Sequence, residues 1–124
     1  MDLKWRKNNI IVLVNLTTGK ILAERVEIAD NPLRRGIGLM FRKSYDGALV
    51  FPDVGNATFH GFFCFFPILL LCLDGDGRVT SKKILEPWRV VRVNCSTVVE
   101  LDARKKWNVN VGDELIWDVG QGEE

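Results

Sequence analysis

The most apolar stretch of the chain, residues 57–73 (ATFHGFFCFFPILLLCL), sets the strongest limit on how the chain can fold. It contains no Asp, Glu, Lys or Arg, and it includes the only histidine of the sequence, His60. A transmembrane helix requires about 20 predominantly apolar residues, whereas this stretch has 17 and contains Pro67. Proline in a helix interior removes a hydrogen bond and clashes with the preceding turn. We therefore predict two buried strands that meet near Pro67, and we expect no membrane association.

The size and charge of the chain narrow the classes of protein to consider. A length of 124 residues is typical of one domain, and we predict a single domain over residues 1–124 with a polar C-terminal tail, 120–124. The 17 basic and 16 acidic residues give a net charge of +1. Such a balance creates no general attraction for nucleic acid, so no nucleic-acid partner is expected.

The three cysteines bear on metal binding and on compartment. Cys64, Cys72 and Cys95 are odd in number and lack the short spacing of zinc-ligand pairs or of a disulfide framework. Free, buried thiols are typical of proteins in a reducing compartment. We therefore expect a cytoplasmic protein with no metal site and no cofactor.

Runs of β-type residues separated by turn residues indicate the fold class. Residues 10–16 and 21–28 flank a turn-type sequence and predict a β-hairpin. Asp74-Gly75-Asp76-Gly77 predicts a second hairpin turn, because the glutamate and the full acidic pattern of a calcium loop are missing. Other short strands are predicted at residues 48–52, 78–85, 89–94, 97–101 and 114–119.

Two segments predict short helices. Asp30-Asn31-Pro32 is typical of a helix start, because Asp or Asn caps the free N–H groups and proline is tolerated in the first turn. We expect about two turns, ending near Leu39 or Met40, and one helical turn at residues 102–106. The resulting fold class is mainly β, a compact antiparallel barrel or sandwich with one or two short helices.

Several motifs together resemble one known family. They are Arg35-Gly36-Ile37-Gly38-Leu39-Met40-Phe41-Arg42, Phe59-His60-Gly61-Phe62-Phe63, Phe66-Pro67-Ile68 with Leu73-Asp74, Pro87-Trp88, Val99-Glu100-Leu101 and Val111-Gly112-Asp113. In type and order they resemble the domain of unknown function 192 family over roughly residues 10–118. The resemblance implies a compact β-rich domain with a short helix, and it implies no activity.

The chain departs from that family in its central stretch. Members commonly carry aspartate directly after Phe-Pro-Ile, where this chain has Leu69, and often Met-Arg where it has Cys64-Phe65. If the family's aspartate helps to form a polar site, the resemblance implies that the site is altered or absent here.

His60 is the first candidate for a functional residue, because histidine changes charge near neutral pH and serves as acid, base or ligand. A catalytic role would require a carboxylate beside it in space, for which Glu100 and Asp74 are the candidates. The alternative is a histidine that packs among phenylalanines and bonds to the backbone.

Arg35 and Trp88 complete the candidate site. Arginine binds carboxylates and phosphates through two parallel hydrogen bonds, and Trp88 offers a surface for stacking on a ligand. The alternatives are an Arg35 bonded to loop carbonyls or to Glu100, and a Trp88 that closes one end of the fold.

The phenylalanines at 59, 62, 63, 65 and 66 occur on both faces of a strand, so the outward set needs cover from the short helix, a loop or a second subunit.

Three hypotheses for the function follow. The leading one is a non-enzymatic β domain that binds a small molecule or a protein partner near His60, Arg35, Trp88 and Glu100. The second is a hydrolase or transferase that uses His60 with Glu100 or Asp74. The third is a structural domain that forms a homodimer.

Overall fold

The computed structural model describes residues 11–119, which form ten strands and one short helix. The predicted tail at 120–124 and the first residue of the predicted strand 10–16 lie outside this range. The helix α1 is Pro32–Ile37. The strands are β1 Ile11–Asn15, β2 Lys20–Ala23, β3 Val26–Ile28, β4 Ala48–Phe51, β5 Gly55–His60, β6 Ile68–Leu73, β7 Val79–Leu85, β8 Val90–Cys95, β9 Thr97–Asp102 and β10 Leu115–Val119.

The strands form three sheets. A central sheet has the order β3-β4-β9-β6-β7, a second sheet has the order β10-β1-β2, and β5 pairs with β8 in a two-stranded sheet. All pairs are antiparallel except β3 with β4. The prediction of a mainly β fold is confirmed, and of the two predicted architectures the sandwich is the one observed, with no closed barrel within residues 11–119.

The central sheet is buried on both faces. On β6, Leu69, Leu71 and Leu73 belong to one apolar cluster, which the second sheet covers through residues such as Leu13 and Leu115. The alternate residues Ile68, Leu70 and Cys72 belong to another cluster. Successive side chains of a strand point to opposite faces, so a strand covered on both sides is apolar throughout.

The second cluster is covered by the chain that follows α1, by the loop before β6 and by β8. These segments contribute Leu39 and Tyr45, then Cys64 and Phe66, then Val93. The face of the central sheet that holds Ile68 and Leu70 therefore lies beneath the chain after α1, a loop and a small sheet rather than beneath a second large sheet.

The prediction for residues 57–73 was correct only for its second half. Residues 68–73 form the buried strand β6, but residues 57–60 belong to the partly exposed β5 and residues 61–67 form a loop. The loop exposes Phe62, Phe63 and Phe65. Backbone hydrogen bonds explain this loop, because the N–H groups of Gly61 and Trp88 donate to Arg89 O and Gly61 O at 2.8 Å each.

The predicted helix after Asp30 is confirmed, but it ends at Ile37 rather than near Leu39 or Met40, because Gly38 leaves the helical conformation with φ 53°. Asn31 is its N-cap and accepts a hydrogen bond from Arg34 N at 2.8 Å, with Pro32 in the first turn. The segment 102–106 is a turn rather than a helix, because the Asp102 side chain bonds to Arg104 instead of continuing a helical pattern. One helix is thus present in the described range.

The predicted run 21–28 is divided. Its first part pairs with β1 as β2, and its last part leaves for the central sheet as β3, parallel to β4. The break lies at Glu24 and Arg25, which are exposed. No helix in the described range is long and apolar enough to cross a membrane.

Candidate functional site

A cavity of about 180 Å³ lies on the face of the central sheet that holds Ile68 and Leu70, between the end of α1 and strand β5. Its lining includes three of the four predicted site residues, Arg35, His60 and Glu100. The exposed residues Gly36 and Thr58 also line it, so the cavity reaches the protein surface. The sequence-based grouping of an arginine, a histidine and a glutamate corresponds to one concave region.

Glu100 is the buried acidic residue of this cavity. It lies on β9, flanked by Leu49 of β4 and Leu70 of β6, and is 3% exposed. Its Oε1 atom has no hydrogen-bond partner within residues 11–119. Burial raises the pKa of Glu100 to about 8, against a smaller lowering by the charge of Arg34. At pH 7 the side chain is therefore mainly a neutral carboxylic acid, which can donate as well as accept a hydrogen bond.

The backbone beside Glu100 comes close because of Gly38. A Cβ atom at this position would lie 3.6 Å from Glu100 Oε1 and 3.8 Å from the ring of Phe51. Gly38 has φ 53° and ψ −125°, a conformation that side-chain-bearing residues rarely adopt. The glycine thus ends α1 and lets the chain turn directly over the buried carboxyl group.

Arg35 is held by two backbone carbonyls. Its Nη1 donates to Pro52 O at 2.7 Å and to Ala29 O at 3.2 Å, and its guanidinium carbon lies 5.9 Å from the ring centre of Phe51. No carboxylate in the described chain forms an ion pair with it. The neighbouring Arg34, in contrast, pairs with Glu27 at 2.7 Å. The positive charge of Arg35 therefore has no acidic partner among the described residues.

His60 lies at the end of β5 and is partly buried. Its Nδ1 accepts a hydrogen bond from Phe62 N at 3.2 Å, and its ring stacks on Phe62 at 4.9 Å between centres. An acceptor role for Nδ1 places the proton of the neutral ring on Nε2. These are the contacts expected of a packed histidine, and the same residue lines the cavity.

Cys64 also lines the cavity, and the protonation state of its thiol argues against a role as a nucleophile. Burial, and then the charge of Glu100, raises the pKa of the Cys64 thiol to about 11. The thiol is protonated at neutral pH and is therefore a poor nucleophile.

Trp88 lies outside the cavity, in a group of exposed rings that we call the aromatic surface: Phe41, Phe62, Phe63 and Trp88. Trp88 contacts Phe63 and Phe62 at 4.8 and 6.1 Å between ring centres, and Phe63 stacks on Phe41 at 5.3 Å. Phe41, Phe63 and Trp88 have positive φ angles of 66°, 61° and 66°. Such angles are unfavourable for residues with a side chain.

Asp74 does not line the cavity. It follows the far end of β6, and its carboxylate accepts from Asp76 N and Arg78 N, which forms the predicted hairpin turn. Ile68, at the start of β6, lines the cavity, and six extended residues span roughly 20 Å. Of the two carboxylates considered beside His60, the structure brings only Glu100 into the same cavity.

Leu69 stands where members of the family commonly have aspartate, and it faces away from the cavity. Its side chain belongs to the apolar cluster beneath the second sheet, whereas Ile68 and Leu70 face the cavity side. The leucine therefore changes the opposite face of the central sheet and leaves the cavity lining unaffected.

Sequence reasoning missed the apolar walls of the cavity. Phe51 and Phe59 pack edge to face at 5.1 Å and line the cavity together. The two glycines of Arg35-Gly36-Ile37-Gly38 predict that this segment approaches another backbone closely. At Gly38 the groups within 4 Å are instead the side chains of Glu100 and Phe51, and at Gly36 no group lies within 4 Å.

Comparisons with known proteins agree with the motifs in the sequence. The model of a family described as uncharacterised ACR, DUF192, matches residues 13–117. A UPF0127 protein of Pyrococcus abyssi is 34% identical over 113 residues, which are 86% of this chain and 97% of the relative. A UPF0127 protein of Thermococcus sibiricus is 34% identical over 116 residues, 87% of this chain and 75% of the relative.

Two solved structures share the fold. A protein of Sinorhizobium meliloti, described provisionally as a transcription regulator, has a TM-score of 0.72 at 21% identity and covers 88% of this chain and 92% of its own. A protein of unknown function from Novosphingobium aromaticivorans has a TM-score of 0.69 at 21% identity, with 86% and 83% covered. At this level of identity the likeness concerns the fold alone.

Proposed function

Because this chain belongs to the DUF192 family of uncharacterised proteins, we propose its function from the cavity: a non-enzymatic domain that binds a small molecule beside Arg35, His60 and Glu100. The observation that carries the proposal is the buried Oε1 atom of Glu100, which has no partner within residues 11–119. A buried polar atom without a hydrogen bond costs about 1–3 kcal/mol. A ligand that supplies the missing bond recovers this free energy, which favours a binding role for the cavity.

The neighbouring groups support binding more than catalysis. No hydrogen bond joins His60 to Glu100 in the described chain, and the Cys64 thiol is protonated. A hydrolase or transferase would need an activated nucleophile near an acid or base. The alternative of His60 with Asp74 has no support, since Asp74 holds the β6–β7 turn.

Nucleic acid is not part of the proposal. The net charge is +1, and the resemblance to the Sinorhizobium structure is one of fold.

The test is a ligand screen read out at the cavity. We expect a library of polar fragments with six to ten non-hydrogen atoms, roughly the size that such a cavity admits, to shift the amide NMR signals of Gly38, His60 and Glu100. The variant Ala57→Leu fills the cavity and should abolish these shifts, because Ala57 lines it. Asn56→Leu is the matched control, since Asn56 is the preceding residue of β5, is exposed and does not line the cavity. Absence of any shift across the library would rule the proposal out.

The aromatic surface favours a second candidate, self-association. Phe41, Phe62, Phe63 and Trp88 expose 61, 42, 44 and 57% of their areas, and contiguous exposed apolar groups mark interaction sites. In a homodimer these rings would pack against a second copy. Light scattering at micromolar concentration should then give twice the monomer mass for the wild type and a monomer for Trp88→Ser. A monomeric wild type excludes this candidate.

A further inference from the structure

We infer that the ligand of this cavity is a small monocarboxylate with a compact apolar body, bound through Arg35 and Glu100. The inference rests on the proposed binding function and adds the chemical class of the ligand.

The first argument is that Arg35 and Glu100 line one cavity without forming an ion pair in the described chain. An arginine side chain carries five N–H donors. In Arg35, Nη1 donates two hydrogen bonds, to the backbone carbonyls of Ala29 and Pro52. The other N–H groups of Arg35 have no hydrogen-bond partner within residues 11–119, and the inference is that a ligand in the cavity accepts from them. A carboxylate suits an arginine fork because it accepts two parallel hydrogen bonds.

The second argument is the charge around Glu100. The charged and titratable groups that face it are Arg34 and Arg35 from α1, His60 from β5 and Cys64 from the loop before β6. The walls from the central sheet, such as Phe51 and Ile68, are apolar. A cationic ligand would meet the charge of Arg35 in the cavity wall, whereas an anion balances that unpaired charge.

The third argument is the state of Glu100. As a neutral acid, it donates its O–H to an anionic oxygen and so forms a charge-assisted hydrogen bond, one of the stronger kinds. The carboxylate of the ligand would thus accept from both Arg35 and Glu100, and the proton stays on Glu100. An ionised Glu100 would instead repel the ligand.

The size and walls of the cavity determine how large and how apolar the body of the ligand is. A cavity of about 150 Å³ in another protein admits benzene, and this one measures about 180 Å³. Phe51, Phe59 and Ile68 provide apolar walls for a ring or a branched chain. Benzoate therefore represents the class.

The test compares three probes of one shape, benzoate, benzamide and benzylamine, by NMR titration between pH 7 and 9.5. We expect benzoate to bind at least tenfold more tightly than benzamide, with no binding of the benzylammonium cation. The affinity for benzoate should fall about tenfold per pH unit above pH 8, as Glu100 loses its proton. The Cys64 thiol, with a pKa of about 11, titrates outside this range.

Two variants separate the contributions. In Glu100→Gln the fall above pH 8 should vanish, so that the ratio of the dissociation constants at pH 9 and pH 7 drops from about tenfold to about one. Arg35→Met should weaken benzoate binding at least tenfold, and Arg35→Lys should restore part of it. The pH profile of the wild type requires no mutation, so the test does not depend on how well Arg35→Met folds.

The outcomes distinguish this inference from the proposed function. Equal affinity for benzoate and benzamide, or binding of benzylamine at pH 7, where the amine is a cation, overturns the carboxylate class and leaves a binding cavity. Absence of binding by all three probes also overturns the class. The binding function itself fails only if the wider library likewise leaves the cavity signals unchanged.

Discussion

Glu100 and Asp102 lie two residues apart on β9, on the same face of the central sheet, and both are almost fully buried. Asp102 accepts three hydrogen bonds from Arg104, two of them from the guanidinium group at 2.8 and 3.0 Å. Glu100 has an oxygen without a partner in the described range. Burial alone raises the pKa of both groups, but the bonds and charge of Arg104 hold the pKa of Asp102 below its usual value, whereas that of Glu100 rises to about 8.

The difference shows that burial of a carboxyl group does not by itself decide its charge. Arg104 follows β9 by two residues and turns back over Asp102, with its guanidinium 4.6 Å from the ring of Phe66. Near Glu100, the two arginines bond elsewhere, Arg34 to Glu27 and Arg35 to backbone carbonyls. The same face of one strand thus contains a satisfied carboxylate and an unsatisfied acid.

The largest effect that this comparison predicts concerns Glu100→Gln. Between about pH 4.5 and 8 the folded wild type keeps the proton of Glu100 while the unfolded chain has lost it, so its free energy of unfolding should fall as pH rises. The slope is about 1.4 kcal/mol per pH unit, or roughly 3–5 kcal/mol in total. Glu100→Gln has no titrating carboxyl group at this position. Its free energy of unfolding relative to the wild type, measured by urea denaturation, should therefore rise by this amount over the same pH range.

Glu86→Gln is the control, because Glu86 is exposed. Its difference from the wild type should stay constant over the same pH range. If the free energies of unfolding of Glu100→Gln and the wild type change in parallel with pH, Glu100 is ionised in the folded protein.

An intermediate effect is expected when Asp102 loses its partner. Arg104→Met removes the guanidinium bonds to a side chain that is fully buried, although Arg104 itself is about half exposed. We expect destabilisation of about 1–2 kcal/mol at pH 7. Because the pKa of Asp102 is lowered in the folded protein, the loss should be complete above about pH 4 and should disappear as the pH falls through the folded pKa.

Lys106→Met, in the same turn, removes a positive charge without touching these bonds and should change stability little. An Arg104→Met variant whose destabilisation persists at pH 2 would indicate lost packing on Phe66 rather than the lost ion pair.

The smallest effect concerns Gly38→Ala. The added methyl group would lie in ordinary contact with Glu100 Oε1, but the backbone conformation at this position favours glycine, so the expected cost is about 1 kcal/mol. The methyl group also adds an apolar contact beside Glu100, so the pKa of Glu100 should rise further. Gly36→Ala should be neutral or slightly stabilising, because its methyl group meets nothing within 4 Å. Equal effects of the two substitutions would contradict the glycine-type backbone conformation at Gly38.

The sequence was informative where one local interaction decides the structure. Asn31-Pro32 starts a helix by local hydrogen bonding, and Ile68–Leu73 is apolar throughout because both of its faces are covered. The sequence was uninformative where contacts between distant segments decide the structure. Phe62 and Phe63 are apolar, yet hydrogen bonds between residues 61 and 88–89 hold their loop at the surface.

The same limit applies to the cavity. Arg35, His60 and Glu100 were predicted together from their residue types and the family motifs, and they share one cavity. Trp88 was grouped with them but lies on the aromatic surface, because its position follows from the bend after Glu86 rather than from its chemistry. No local pattern reveals that Arg104 would pair with Asp102 and leave Glu100 alone.

The pairing of β1 with β10 joins Ile11 to Val119, the two ends of the described chain. Strands this distant in sequence form contacts late, because a long loop must close before they meet. During synthesis, α1 through β9 can assemble around the cavity side while Val50, Leu71 and Val99 on the other face still lack the cover that Leu115 completes. We therefore expect a chain truncated before Leu115 to aggregate more readily than the full chain, because this apolar face then lacks part of its cover.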